Sequence, residues 1–475
     1  MLSRREFASL AGAFGAAAAP ASSELHWLGL AEAAALLRQR KASPVELTQA
    51  CLRRIERLNP RLNAFVTVTA EPALKEARQA EKEIGAGRVR SPLHGIPIAL
   101  KDLFDTAGLR TTAGSQQYAA RVPDRDAEVV ARLRAAGAVL LGKLNMDEFA
   151  YNFTSETSCR GPCRNPWDPR RSPGGSSGGS GVAVAAGMCY AALGSDTGGS
   201  IRLPAALCGV TGLKPSFGRV STRGVVPLAF SLDHVGPLCR SARDAVAVLE
   251  AISGPLGKTA GAPAAKLRLG LPSGPWLDRA DAEVKTAFEE ALKRLAALCG
   301  PVRDVALPDL SPAPQLPVFP RAYLVLIQAE AYAFHREMLR RSPDRYHPST
   351  RRSIENGQAI SAADYIDAVE EMRRLRAAIP AVFEKADLLL TPAAPGPAFE
   401  LGAPPDLVFL RNLAPWNLLG LPAISVPCGF TRAGLPIGLQ IVGPPGRDAL
   451  VLQLAEAWQQ ATDYHQRRPP GGGGA

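Results

Sequence analysis

Residues 173–202 read PGGSSGGSGVAVAAGMCYAALGSDTGGSIR, in which Ser176 and Ser200 each follow a Gly-Gly pair directly. Glycine lets the backbone adopt positive φ angles and approach a ligand closely, so residues 197–200 can turn successive N–H groups toward one point. A flexible linker is the ordinary alternative for glycine and serine runs. A linker would not be expected to contain the charged residues Asp196 and Arg202 or the apolar, helix-like residues between the clusters. The segment therefore predicts an ordered functional site.

A lysine upstream supplies the base that such serines need. Lys101 follows the apolar run Gly95-Ile96-Pro97-Ile98-Ala99-Leu100, which predicts a strand. A serine hydroxyl is a poor nucleophile at neutral pH, so a base must take its proton during attack. Lysine can act as that base only when neutral, and burial lowers its pKa. The ordinary alternative is a surface lysine at a strand end.

These residues resemble the motifs of the amidase signature family, whose members hydrolyse or transfer carboxamides. The resemblance implies a Ser-Ser-Lys triad in which Lys101 deprotonates Ser176 and Ser176 activates the nucleophile Ser200. It also implies a cis Gly175-Ser176 peptide, and no metal ion or organic cofactor. The backbone N–H groups that would form the oxyanion hole belong to Thr197, Gly198, Gly199 and Ser200.

The resemblance covers most of the chain. Further motifs in the family's usual order are His94-Gly95-Ile96-Pro97, Asn165-Pro166-Trp167-Asp168, Gly212-Leu213-Lys214-Pro215, Asp233-His234-Val235-Gly236-Pro237, Gly420-Leu421-Pro422-Ala423 and Gly434-Leu435-Pro436-Ile437. Charged residues within the motifs are expected to form pairs that support the glycine loops rather than to carry protons. These residues are Asp102, Asp196, Arg202, Lys214 and Asp233.

Two segments also match motifs of other enzyme classes. Residues 174–178 fit G-x-S-x-G, the nucleophile elbow of α/β-hydrolases, but an elbow follows a strand and residues 165–173 form a proline-broken loop. Histidines later in the chain could complete the triad of such a hydrolase, so chain order alone leaves the elbow open. Residues 137–143 fit the G-x-x-x-x-G-K phosphate loop, but Leu144 stands where Ser or Thr would hold magnesium.

The predicted fold class is α/β, and the resemblance implies the amidase signature fold. That fold is a large mixed β-sheet core covered by helices on both sides. Apolar runs that predict strands alternate with helical segments along the chain, which is typical of α/β architecture. These runs are residues 138–141, 267–271, 388–390 and 424–426.

The chain is expected to have a leader, one large domain and a tail. Ser3-Arg4-Arg5-Glu6-Phe7, an apolar run and an A-x-A site predict a twin-arginine signal peptide over residues 1–21. The amidase domain follows at 22–466, with a helical insertion at about 322–385, and 467–475 is expected to be a disordered tail. The enzyme is therefore expected to be periplasmic or exported, or cytoplasmic if the signal interpretation is wrong, without stable membrane insertion.

Composition limits the partners. The net charge of +11 allows weak attraction to anionic surfaces, but the basic residues are scattered, so no nucleic-acid partner is predicted. A homodimer is left open. Eight cysteines in 475 residues make no disulfide framework, and a bridge between Cys159 and Cys163 is left open. Zinc is disfavoured because no second Cys or His pair lies at ligand spacing.

The predicted function is hydrolysis of a small-molecule carboxamide to carboxylate plus ammonia or amine. The alternative is the glutamine-hydrolysing A subunit of a tRNA-dependent amidotransferase. Where that protein carries an acidic residue for the amino group of glutamine, motif alignment places Leu410. Aromatic side chains expected near the substrate suggest an apolar or aryl acyl group but fit core packing equally well. These are Phe149, Tyr151, Phe230 and Trp416.

Overall fold

A single large β-sheet carries the fold. A computed structural model describes residues 24–257, 264–314 and 319–470. Its strands are Phe65–Val68 (β1), Pro97–Lys101 (β2), Val139–Leu144 (β3), Ala191–Asp196 (β4), Thr211–Lys214 (β5), His234–Cys239 (β6), Leu269–Pro272 (β7), Arg303–Val305 (β8), Leu388–Pro392 (β9), Ala423–Phe430 (β10) and Pro436–Val442 (β11). They form one mixed sheet in the order β1-β3-β2-β4-β6-β5-β10-β11-β9-β7-β8. The predicted α/β class is confirmed.

Helices cover the sheet on both faces. Every residue of β2, β3, β4 and β6 is buried, which requires packing on each side of these strands. The α-helices are Leu30–Arg38 (α1), Pro44–Leu62 (α2), Ala70–Gly85 (α3), Glu128–Ala135 (α4), Gly178–Ala185 (α5), Arg202–Cys208 (α6), Ala242–Ser253 (α7), Ala282–Cys299 (α8), Arg321–Arg341 (α9), Pro348–Glu355 (α10), Ala362–Ala378 (α11), Val408–Arg411 (α12), Ala414–Leu418 (α13) and Asp448–Gln460 (α14).

The pairing of β2 with β4 brings distant parts of the sequence together. The two strands are parallel neighbours, with Leu100 opposite Leu193. Because the carboxyl ends of parallel strands meet at the same edge of a sheet, Lys101 at the end of β2 lies beside the end of β4. The two glycine-rich turns lead into α5 and α6 at this edge. The sheet therefore places both serine clusters next to the lysine.

The structure can be compared with some of the predicted segments but not with all of them. The four strands expected from apolar runs are present as β3, β7, β9 and β10. Helices α9, α10 and α11 lie within the region expected to be a helical insertion. The predicted signal peptide, residues 1–21, lies outside the described residues. No helix in the described ranges has the length and apolar character needed to cross a membrane.

The start of the predicted tail is packed rather than free. The guanidinium group of Arg467 lies 4.8 Å from the ring centroid of Phe430, and that of Arg468 lies 4.9 Å from the ring centroid of Trp27. Cation–π contacts of this kind hold residues 467 and 468 against the domain. Residues 471–475 lie outside the described residues. The expectation of a disordered tail is therefore corrected at its first residues.

Candidate active site

The side chain of Lys101 lies at the centre of the site. Its Nζ is 2.8 Å from Ser176 Oγ and 2.9 Å from Ser195 Oγ, and the side chain is fully buried. The peptide between Gly175 and Ser176 is cis, as predicted. Ser195 is the fifth residue of β4, and the parallel register with β2 sets its hydroxyl beside the lysine. One amine thus contacts two hydroxyl groups.

Burial favours the neutral form of this lysine. Removal from water lowers the pKa of Lys101 to about 7, although the negative charges of Asp147, Asp196 and Asp233 act in the opposite direction. A large fraction of the side chain is therefore neutral at neutral pH. A neutral amine 2.8 Å from Ser176 Oγ can accept the hydroxyl proton.

The pH dependence of catalysis should report this lysine. The predicted role of Lys101 as the base requires its neutral form, so kcat/KM should rise with pH through a midpoint near 7 and reach a plateau above it. Asp233→Asn removes one negative charge that raises the pKa of Lys101, so the midpoint should move to lower pH. Glu290→Gln on the surface of α8 is the control and should leave it unchanged. A midpoint near the ordinary lysine value, or one unmoved in Asp233→Asn, would contradict the assignment.

Ser200 lies on a glycine turn at the end of β4. Gly199 has a φ of 128°, which side chains rarely allow, and its N–H donates to Asp196 Oδ1 over 2.8 Å. Ser200 as a whole residue is 7% exposed, and its hydroxyl makes no hydrogen bond to the described residues. Because no described residue hydrogen-bonds to this O–H group, it can approach a substrate carbonyl.

The predicted oxyanion hole needs one correction. Gly199 N–H is already bonded to the Asp196 carboxylate, because that buried group needs donors. In the part of the chain that the structure describes, the N–H groups of Thr197, Gly198 and Ser200 have no acceptor. These three remain the candidate donors for a developing oxyanion, each typically worth about 3 kcal/mol in a transition state.

A buried ion pair holds the turn from behind. Arg202 donates to both carboxylate oxygens of Asp196, over 2.9 and 3.0 Å, and both side chains are fully buried. Burial opposes ionisation of Asp196, but Arg202 outweighs it and holds the pKa of that carboxyl well below its usual range. The guanidinium group also donates to Leu413 O, Asn417 Oδ1 and Gln440 Oε1. These contacts join the turn at residues 197–200 to α13 and β11.

Removal of this guanidinium group should destabilise the protein strongly. Arg202→Met leaves Asp196 buried without its partner, so the free energy of unfolding should fall by about 3–5 kcal/mol. Urea unfolding measures the loss. Arg294→Met removes an exposed partner of Glu290 and should change stability by less than about 1 kcal/mol. Equal effects of the two substitutions would contradict a structural role for the pair.

The other charged motif residues have hydrogen bonds or a neighbouring opposite charge. Asp233 accepts from Thr197 Oγ1 over 2.5 Å and from two backbone N–H groups of the loop before it. Lys214 donates to Leu421 O and Pro215 O. Asp102 lies 3.7 Å from Lys143 Nζ, and both side chains are buried. These contacts fit the supporting role expected for the charged motif residues.

The four predicted aromatic contacts separate into two groups. Phe149 packs edge-on against His335 within the core, and Trp416 is fully buried and stacked on Trp276. Both residues are buried in close-packed surroundings. The structure therefore assigns them to the core rather than to a substrate pocket. Tyr151 is half-buried and Phe230 is 65% exposed, so both have accessible surface that a substrate could contact.

The structure disfavours the competing motifs. Residues 172–177 form a loop without a strand, as argued against the nucleophile elbow, and residues 139–144 form the buried strand β3. Lys143 of the phosphate-loop match donates to Phe104 O and Thr111 Oγ1.

Cys159 and Cys163 are both free thiols. Among residues 24–257, 264–314 and 319–470, no cluster of three or more His, Cys, Asp or Glu side chains is placed to hold a metal ion.

Two residues of the site were not predicted from the sequence. Ser195 contacts the lysine only because of the β2–β4 register. Tyr323 of α9 faces the glycine turn so closely that a Cβ at Gly198 would collide with its hydroxyl. The pattern Gly194-Ser195-Asp196 within the second cluster was the available signal for the serine. No signal in the sequence pointed to the tyrosine.

Comparisons with known proteins show the family of this chain. The Amidase family model matches residues 46–452. The chain belongs to the amidase family. The A subunit of the glutamyl-tRNA(Gln) amidotransferase of Moorella thermoacetica is 42% identical over 489 residues, covering 94% of this chain and 99% of the relative.

Solved structures of amidase-family proteins have the same fold. One described as an amidase is 38% identical, with a TM-score of 0.84 over 91% of this chain and 99% of the other. The A subunit of the glutamyl-tRNA(Gln) amidotransferase of Thermotoga maritima is 34% identical, with a TM-score of 0.76 over 94% and 97%. As an amidase-family enzyme, this chain is a hydrolase of amide C–N bonds.

Proposed function

We propose that this chain hydrolyses a primary carboxamide to carboxylate and ammonia through an acyl-enzyme on Ser200. Lys101 Nζ takes the proton of Ser176, and Ser176 takes the proton of Ser200 as Ser200 Oγ attacks the carbonyl carbon. The C–N bond breaks as the relayed proton reaches the leaving nitrogen. Water then attacks the acyl-enzyme by the same relay in reverse. The 2.8 Å contact between Lys101 and Ser176 carries this proposal.

The side-chain amide of glutamine is the substrate that the curated relatives favour. The relatives, at 39% to 42% identity across almost the whole chain, are A subunits of glutamyl-tRNA(Gln) amidotransferases. By analogy, this chain would release ammonia from glutamine and act with partner subunits on a charged tRNA. This is the alternative raised from the sequence, and it has more support from the relatives than the general amidase does.

A self-standing amidase for apolar amides is the second candidate, and residue 410 favours it. Leu410 packs beside the apolar cluster that contains Leu413 and Ala398, at the place where motif alignment puts the acid for the amino group of glutamine. The neighbouring Arg411 donates to the carbonyl groups of Trp276 and Asp278. A leucine here offers no charge to an ammonium group.

Ammonia release from a small panel separates the two candidates. Glutamine, hexanamide and benzamide would be given to the purified full chain, with Ser200→Ala as the matched control. A kcat/KM for glutamine at least about tenfold above the others supports the glutamine-hydrolysing role. Preference for hexanamide or benzamide supports the self-standing amidase. No ammonia above the control from any of the three contradicts the proposed function.

Export remains a prediction from residues 1–21. The comparisons do not support it, and action on a tRNA would place the protein in the cytoplasm. Fractionation and N-terminal sequencing decide between the locations. If the signal acts, replacing Arg4 and Arg5 with lysine should retain uncut, active protein in the cytoplasm. Uncut wild-type protein that copurifies with partner subunits would contradict export.

A further inference from the structure

Ser195 is a polar residue in a buried strand. Every residue of β4 is buried, and Ser195 is 5% exposed. Its backbone carbonyl accepts from Ser177 Oγ over 3.1 Å. Among the described residues, the partner of its own hydroxyl is Lys101 Nζ, 2.9 Å away. A buried hydroxyl is costly unless it is hydrogen-bonded, so the contact with the lysine compensates the burial of this serine.

Proton uptake changes what Lys101 requires from its neighbours. In the proposed relay an O–H bond of Ser176 breaks, an N–H bond forms on Nζ, and Ser176 Oγ takes the proton of Ser200 in the same step. The amine becomes an ammonium group, which has three N–H donors and no lone pair. Ser176 Oγ and Ser195 Oγ both lie within hydrogen-bond distance of those donors. Toward an ammonium group Ser195 Oγ can act only as an acceptor.

Three carboxylates act on the lysine without hydrogen-bonding to it. Burial lowers the pKa of Lys101, and the charges of Asp147, Asp196 and Asp233 partly oppose that effect. Each of these carboxylates accepts hydrogen bonds from other groups of the site. In the described part of the chain, the hydrogen-bond partners of the amine are the two serine hydroxyls. Since Ser176 reacts, the other hydroxyl is the unreactive acceptor.

We propose that Ser195 is a positioning residue whose Oγ accepts a hydrogen bond from the ammonium group that forms on Lys101. A hydrogen bond from a charged donor is stronger than one from a neutral amine, so this contact strengthens as the proton arrives. An interaction that is stronger in the transition state than before it lowers the barrier. Ser195 would thus make Lys101 a stronger base toward Ser176. The inference rests on the proposed function and adds a fourth side chain to its relay.

The pH dependence of fluorophosphonate labelling at Ser200 tests the proposal without an amide substrate. The rate for the wild type should rise through a midpoint near 7, the pKa of Lys101. Ser195→Ala removes an acceptor that favours the charged lysine, so the midpoint should fall by about one to two pH units. The plateau rate should fall about tenfold or more, because a weaker base takes the proton of Ser176 less readily. An unmoved midpoint in Ser195→Ala overturns the proposal.

A small cavity beside Ser195 permits a matched pair of larger variants. Its volume is about 10 Å³, and its walls include Val225 and Val226. This is enough room for about one methyl group. Ser195→Thr keeps the hydroxyl, Ser195→Val replaces it with a methyl group, and both β-branched side chains suit a strand. The threonine variant should keep the wild-type midpoint, and the valine variant should behave as Ser195→Ala. Equal midpoints in the two variants would overturn the role of the hydroxyl.

A second buried serine on the same strand contact gives the control. Ser180 Oγ donates to Leu193 O of β4 over 3.0 Å and does not contact the lysine, so Ser180→Ala should keep the wild-type midpoint. A shift in Ser180→Ala equal to that in Ser195→Ala would overturn the proposal, because loss of any buried hydroxyl would then explain both. Thermal unfolding of each variant is measured alongside. A lower melting temperature in Ser195→Ala with an unmoved midpoint would show a purely structural role.

Amide hydrolysis by the same proteins separates this inference from the proposed function. Ser195→Ala should lower kcat about tenfold or more and change KM by less than about twofold, because Ser195 acts through Lys101 and not on the substrate. A change confined to KM overturns the proposal. If the wild type is labelled with a midpoint near 7 but releases no ammonia from any amide, the proposed function fails and the role of Ser195 stands. Absence of labelling at Ser200 at every pH contradicts both.

Discussion

Ser200→Ala should lose at least about 10⁴-fold in kcat, because it removes the atom that forms the covalent intermediate. The fold should persist, since Ser200 Oγ makes no hydrogen bond to the described residues. Ammonia release and thermal unfolding of the same preparation measure the two effects. This is the largest effect of a single substitution that the proposed mechanism predicts.

A serine from the first cluster provides the matched control. Ser180 lies on α5 and donates to Leu193 O over 3.0 Å, away from the lysine. Ser180→Ala should keep turnover within about tenfold of the wild type, because it removes a structural hydrogen bond and no reacting group. Comparable losses in Ser180→Ala and Ser200→Ala would contradict a special role for Ser200.

Lys101→Ala and Ser176→Ala should each reduce kcat by several orders of magnitude, and the double variant should lose little more than the worse single. In the proposed relay Lys101 acts through Ser176, so a relay without either member has already failed. Single-turnover kinetics on one amide substrate measure the three losses. Losses that add in free energy would show two independent roles and contradict the relay.

The fold class and the contact of Lys101 with Ser176 could be predicted because short motifs encode both. Lys101, Ser176 and Ser200 lie in distinctive glycine and serine patterns, and the structure brings the lysine to Ser176 as expected. The strands were visible as apolar runs because buried strands have few polar residues. The nucleophilic role of Ser200 stays a prediction until it is tested.

The missing parts of the site depend on tertiary packing. Ser195 reaches Lys101 through strand register, and Tyr323 reaches Gly198 through the packing of a distant helix. The pattern Gly194-Ser195-Asp196 marks the serine but not its contact with Lys101, and no local pattern marks Tyr323. Trp416 failed as a substrate contact for the related reason that aromatic side chains serve a core and a pocket equally well. Gly199 failed as an oxyanion donor because Asp196 takes its N–H.

The central claim is that Ser200 carries the acyl group, and mass spectrometry of a quenched reaction tests it most directly. Trypsin leaves both serines in one peptide, residues 172–202, but chymotryptic cleavage after Tyr190 separates Ser176 from Ser200. With a slowly deacylating aryl ester or amide, the peptide after Tyr190 should gain the mass of the acyl group, localised on Ser200. Acylation of the peptide that contains Ser176 would contradict the claim.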